Sequence, residues 1–157
     1  ADLAPGDVVL PHQIIDYTWG RQATFFDGGA TPVTHIDFTE PYDGFLRARI
    51  AAAATAVGVL IKDDAVYAAT QGPRLESSAE IARMRRDGCD LVGMTGMPEA
   101  GLARELGLDY ACLAIVANWA AGAGPDVDEV ITLQEVLDNV AAAMGDAARL
   151  LDAMLQD

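Results

Sequence analysis

Apolar runs alternate along this chain with stretches whose apolar positions recur every third or fourth residue, a pattern of strands covered by helices. Residues 8–10 read as a buried strand. Residues 12–31, with Gly20, Gly28 and Gly29, read as a long irregular segment of the kind that serves a site or an interface. A short extended piece is expected over 33–38. Residues 42–57 have helical spacing and end at Gly58, which can take the left-handed conformation that closes a helix. Residues 65–70 form the next expected strand. Ser77 and Glu80 make the S-x-x-E capping box, which predicts a helix from residue 78 to Gly88. A strand over 90–94 follows, then a helix with Pro98 at its first position and its end at Gly107, then an apolar strand over 110–116. Thr132 and Glu135 repeat the capping-box pattern ahead of Leu133, Val136, Leu137, Val140, Met144, Ala147, Leu151 and Met154, spaced as a long amphipathic helix. This alternation predicts an α/β domain.

The length of 157 residues suits one core of ordinary domain size. With 52% apolar but only 6% aromatic residues, that core is expected to be helices packed closely on a sheet. Ten basic against 24 acidic residues give a formal charge of −14, which repels a phosphate backbone, so nucleic acid is not an expected partner. An anionic substrate would need local donors that outweigh this field. Cys89 and Cys112 have neither CxxC nor Cys/His spacing, so they read as small buried hydrophobes in a reducing compartment, with no metal site. Neither a membrane span nor a signal-peptide pattern is visible, so the expected location is cytoplasmic and no membrane partner is expected. The chain opens without an initiator Met directly on a strand, and it reads as part of a longer protein.

In an α/β sheet, ligands gather past the carboxyl ends of strands. Three such places carry polar residues here: QGPRLE from Gln71, GMT from Gly93, and ANW from Ala117. Taken in order, GPRLESSAEI, LVGMTGMPEAGLARELGL and AIVANW, together with GDVVLPHQIIDYT and HIDFTEPY, resemble the trimeric purine nucleoside phosphorylase and methylthioadenosine phosphorylase family. The resemblance covers essentially the whole chain. It leaves out the family's N-terminal portion, which carries the glycine-bearing loop and the Arg-His pair that grip phosphate. It implies a three-layer αβα fold with a central mixed sheet, a single nucleoside phosphorylase domain lacking its phosphate-loop segment, and a homotrimer.

The implied reaction is phosphorolysis. Phosphate attacks C1′ of the ribose while the purine leaves, and the protein stabilises the departing base with hydrogen bonds. No cofactor is implied; inorganic phosphate is a co-substrate and the purine nucleoside is the other partner. By the family pattern Met94 lies against the ribose and Thr95 offers its hydroxyl to phosphate, although a buried thioether and a cap ahead of the Pro98 helix are equally physical readings. Glu76 is the clue to the base. A carboxylate accepts the N1–H of a 6-oxopurine and repels the N1 lone pair of adenine; alternatively it is an acid near a helix N-terminus. Asn118 stands where adenine-preferring relatives have Asp, with Ala120 in place of their second Asp, and its amide fits hypoxanthine as leaving group. It also suits a loop before Gly122.

His35 matches a histidine that methylthio-specific relatives bring from a neighbouring subunit. Leu133, Val136 and Leu137 match the apolar wall around the methylthio group, which leaves a 5′-hydroxyl unpaired at a cost of about 1–3 kcal/mol; they would fit a helix core just as well. Leu75 replaces the Phe that stacks on the purine in many relatives, so stacking is weaker while burial is expected to remain. The glycine-rich stretch over 120–130 is expected to be a lid. Arg74 reads as a surface or cap-directed cation without a role. The implied substrate is 5′-methylthioinosine, with inosine/guanosine or methylthioadenosine phosphorolysis, or a non-catalytic binding module, as alternatives.

Overall fold

Pro11 has no N–H to give to a ladder, and it interrupts an extended run that reaches from Val8 to Asp16. The computed structural model describes residues 2–125 and 132–156. On either side of Pro11 the run forms two strands, β1 (Val8–Val9) and β2 (Gln13–Asp16). β1 lies between β3 (Ile61–Lys62), parallel to it, and β6 (Ala114–Ile115), antiparallel to it, in the order β3-β1-β6. β2 pairs in parallel with β4 (Val66–Ala69), and β4 in parallel with β5 (Leu91–Gly93), in the order β2-β4-β5. Backbone bonds from Leu10 N to Lys62 O (2.8 Å) and from His12 N to Ala65 O (2.9 Å) carry the ladder across the break.

The expected irregular segment over 12–31 is corrected at its start, because residues 13–16 are strand β2. Its isolated pattern is weak; pairing with β4 creates it. Conversely, 110–116 shrinks to the two residues of β6, and 33–38 holds no strand.

Helix α1 (Gly44–Val57) starts at Asp43, whose carboxylate accepts from Leu46 N at 2.6 Å, and closes at Gly58 in the left-handed region (φ 69°). α2 (Ser78–Arg86) begins with the full capping box: Ser77 Oγ accepts from Glu80 N while the Glu80 carboxylate accepts from Ser77 N. α3 (Glu99–Glu105) has Pro98 just before its first residue rather than as that residue. α4 (Leu133–Gln156) packs on α1. Their contact is built on small residues, Ala53, Ala54, Ala143 and Ala147, which let two backbones approach closely around Ile50 and Leu150. One core gathers Leu10, Ile50, Ala54, Val59 and Leu150, and a second Leu3, Val9 and Ala65, so β1 is covered on both faces. Among the described residues, no helix is long and apolar enough to cross a membrane.

Candidate active site

β4 and β5 are adjacent and parallel, so the segments that follow them emerge side by side. Thr70 N donates to Gly93 O at 2.8 Å, extending that ladder by one rung to the rim of the site. Thr70 is only 6% exposed, and its hydroxyl donates to Glu76 Oε1 at 2.6 Å. A bond of this length fixes one carboxylate oxygen, and the other has no hydrogen-bond partner among the described residues. Gly72 sits between them at φ 64°; a Cβ there would overlap Met94 Sδ, so only glycine lets the Glu76 loop lie against Met94. Gly93 likewise leaves room for the Tyr67 hydroxyl, which is 3.2 Å from Thr95 Oγ1. Burial raises the Tyr67 pKa, so the phenol keeps its proton.

Asn118 follows β6, in the other sheet, and approaches the site by its loop: a Cβ on Gly122 would come 3.2 Å from Ser78 Cβ, at the start of α2. Its Nδ2 donates to Trp119 O at 2.7 Å. The preceding Ala117 O accepts from Asn139 Nδ2 at 2.8 Å, which ties this loop to α4. Residues 126–131, which include the last part of the expected lid, lie outside the described residues.

A cavity of about 290 Å³ opens beside Glu76, lined by Tyr17, Trp19, Thr70, Gln71, Arg74 and Arg83 among others; Met94, Thr95 and Asn118 do not line it. Within that lining Arg74 makes a two-pronged bond with Glu80, 2.8 Å at each oxygen, and is thus the cap-directed cation its sequence context suggests. That pair and the Ser77 N–H hold the Glu80 carboxyl down at about 2. Cys112 is a free thiol that burial pushes up to about 11, and Cys89 is also free and raised by burial. Among the described residues no group of His, Cys, Asp and Glu could hold a metal ion.

The structure therefore brings the Gln71–Glu76 segment against Met94, which Thr95 follows directly, and brings the Asn118 loop to the start of α2 at Ser78. It does not bring the remaining expected residues into this group. Leu75 is 53% exposed, against the expected burial. His35 is exposed and makes no hydrogen bond among the described residues. Leu133 and Leu137 are 73% and 52% exposed and Val136 is half-buried, so they are not core of this chain; the faces of α4 that pack are those of Ala143, Ala147 and Leu150. Sequence reasoning missed Arg21. It reaches from the segment after β2 to five acceptors at the ends of β4 and β5, and no motif marks it.

Parallel strands with a polar cluster past their carboxyl ends, a carboxylate pinned by a buried hydroxyl and a glycine-enforced contact with a methionine have the arrangement at which α/β proteins take small molecules. The chain belongs to the Phosphorylase superfamily, which it matches over residues 1–156. It is 59% identical over 147 residues to a probable S-methyl-5′-thioinosine phosphorylase of Xanthomonas campestris pv. campestris, covering 94% of this chain and 58% of that protein. It is 42% identical over 159 residues to the 6-oxopurine nucleoside phosphorylase of Pyrococcus furiosus, covering 98% and 59%. Its fold superposes on a methylthioadenosine phosphorylase from Schistosoma mansoni in complex with adenine with a TM-score of 0.91 at 27% identity, over 99% of this chain and 60% of that one. The nucleoside phosphorylase type of α/β fold is thus established, and the chain spans about three fifths of the length of the relatives it matches.

Proposed function

We propose that the protein containing this chain cleaves S-methyl-5′-thioinosine with phosphate, giving hypoxanthine and 5-methylthioribose 1-phosphate. The observation that carries the reading is Glu76, a carboxylate at the carboxyl end of β4 with one oxygen held by Thr70. Its second oxygen accepts the N1–H of a 6-oxopurine, whereas adenine presents a lone pair that it repels. The names of relatives at 59% and 42% identity, a methylthioinosine enzyme and a 6-oxopurine enzyme, support the same choice of base.

In this reading Asn118 serves the leaving base. Its Nδ2 is committed to Trp119 O, so Oδ1 is the atom that accepts from a protonated N7 as the glycosidic bond breaks. Met94 lies against the ribose. The Tyr67 phenol, still protonated, lies 3.2 Å from Thr95 Oγ1, and with the phenol as donor the Thr95 hydroxyl is free to give its proton to a phosphate oxygen. Leu133, Val136 and Leu137 form the wall at the 5′ end with His35 from another subunit of a trimer, which accounts for large apolar side chains standing in solvent in the single chain. The reaction uses no cofactor, and the enzyme acts in cytoplasmic purine salvage.

Parallel assays of methylthioinosine, methylthioadenosine and inosine with the full-length protein test this. Methylthioinosine is expected to be turned over best. Comparable turnover of methylthioadenosine would refute the role of Glu76 and Asn118, and fast turnover of inosine would refute the apolar wall. Asn118→Asp is expected to shift preference toward the adenine nucleoside.

A further inference from the structure

We propose that Arg21 is a positioning residue: its guanidinium locks the ends of β4 and β5 and the turn into α3 into one arrangement, and thereby sets the spacing between Glu76 and Thr95. The proposal deepens the functional reading above and rests on it. Arg21 Nε donates to Gln71 Oε1 at 3.2 Å. Nη2 lies 3.0 Å from Thr70 O, 3.2 Å from Gln71 O and 3.0 Å from Met94 O, and Nη1 donates to Met97 O. Trp19 N donates to the same Gln71 Oε1 at 3.2 Å, so the glutamine side chain is itself held from two directions.

The carbonyls of Thr70, Gln71, Met94 and Met97 converge past the strand ends, and oxygens gathered so closely repel one another unless a donor lies between them. A planar fork with five N–H groups can serve several acceptors at once; an ammonium with three donors on one nitrogen cannot span them. Among the described residues Arg21 makes no ion pair, so carbonyl oxygens and one amide oxygen are what hold it. Each carbonyl it grips lies in a segment that carries or supports the proposed site. Thr70 also holds Glu76, Gln71 precedes the Gly72 that rests on Met94, Met94 precedes Thr95, and Met97 leads into α3.

A nucleoside can bind through one end of such a site, but the transition state needs the base contact and the phosphate contact in line together. Loosening the clamp is therefore expected to act on kcat more than on KM. The test compares Arg21→Lys and Arg21→Met with an Arg85→Lys surface control in the full-length protein. One readout is steady-state kinetics on the nucleoside that the wild type turns over best; the other is backbone hydrogen exchange over residues 70–76 and 93–97 without ligand. Arg21→Lys is expected to lower kcat about 10- to 100-fold with KM changed less than about threefold. Exchange is expected to rise in both segments. Should Arg21→Met fail to fold, Arg21→Lys carries the test alone. Wild-type exchange in Arg21→Lys would overturn the clamp. Faster exchange with unchanged kcat would overturn its bearing on the reaction. A wild type inactive on all three nucleosides would defeat the functional reading instead, and the exchange result would then decide the clamp by itself.

Discussion

The ends of β4 and β5 and the beginning of α4 are both expected to touch the nucleoside, yet they are built in opposite ways. At the strand ends the groups are tied to one another: Thr70 is buried and bonded to Glu76 and Gly93, Gly72 rests on Met94, and Arg21 draws the backbone together. Along α4, from its start onward, a row of apolar side chains stands in solvent. Leu133, Leu137, Met144, Leu151 and Leu155 are all exposed and fall on one face of the helix at spacings of four and seven. Polar groups tied by short, directional bonds hold a geometry that chemistry can use within one chain. An exposed apolar face has no such geometry, and its role depends on what it meets.

The largest expected effect that would break this comparison comes from Glu76→Gln. The exchange keeps shape but replaces the carboxylate by an amide, and turnover of the 6-oxopurine nucleoside is expected to fall about 100-fold, as for loss of one transition-state contact. The adenine analogue should lose far less, which side-by-side kcat/KM values would measure. A smaller effect is expected at the other region. Leu137→Ser adds a hydroxyl to the proposed wall, so the preference for methylthioinosine over inosine should fall about 10-fold. Because Leu137 is already half exposed, the melting stability should change by no more than about 0.5 kcal/mol. A large loss of stability would show instead that α4 buries this face.

The smallest effect concerns the frame of the first region. The Glu80 carboxyl is held down at about 2 from an ordinary 4.5 by Arg74 and Ser77. A depressed carboxyl contributes stability above its unfolded value, and that contribution is lost as the pH falls through the folded one. Melting curves of wild type and Glu80→Gln should differ at pH 6, and the gap should close between about pH 4.5 and 2. The pair is on the surface, so salt should narrow the gap as well.

Local signals in the sequence were sufficient where the physics is local. The Ser77 and Glu80 capping box, the Gly58 helix end and the 65–70 strand are each decided by neighbours along the chain, and each lies where its residues predicted. The nearness of the segments that carry Glu76 and Met94 was legible for a related reason: parallel neighbouring strands place the segments that follow them side by side. The strand over 13–16 was not legible, since four residues without strong alternation become a strand only when β4 supplies the partner.

Arg21 and α4 mark the boundary most clearly. The sequence alone determines an α/β protein with a carboxylate, Glu76, past the end of a strand, because helix caps, strand patterns and the acid-base character of a side chain are properties of short segments. The tertiary structure alone decided that a loop arginine with no motif gathers carbonyls 49 to 76 residues away, and that α4 packs through its alanines and Leu150 while its leucine stripe faces solvent. Periodicity marks α4 as apolar on more than one side, but only the arrival of α1 determines which side is buried.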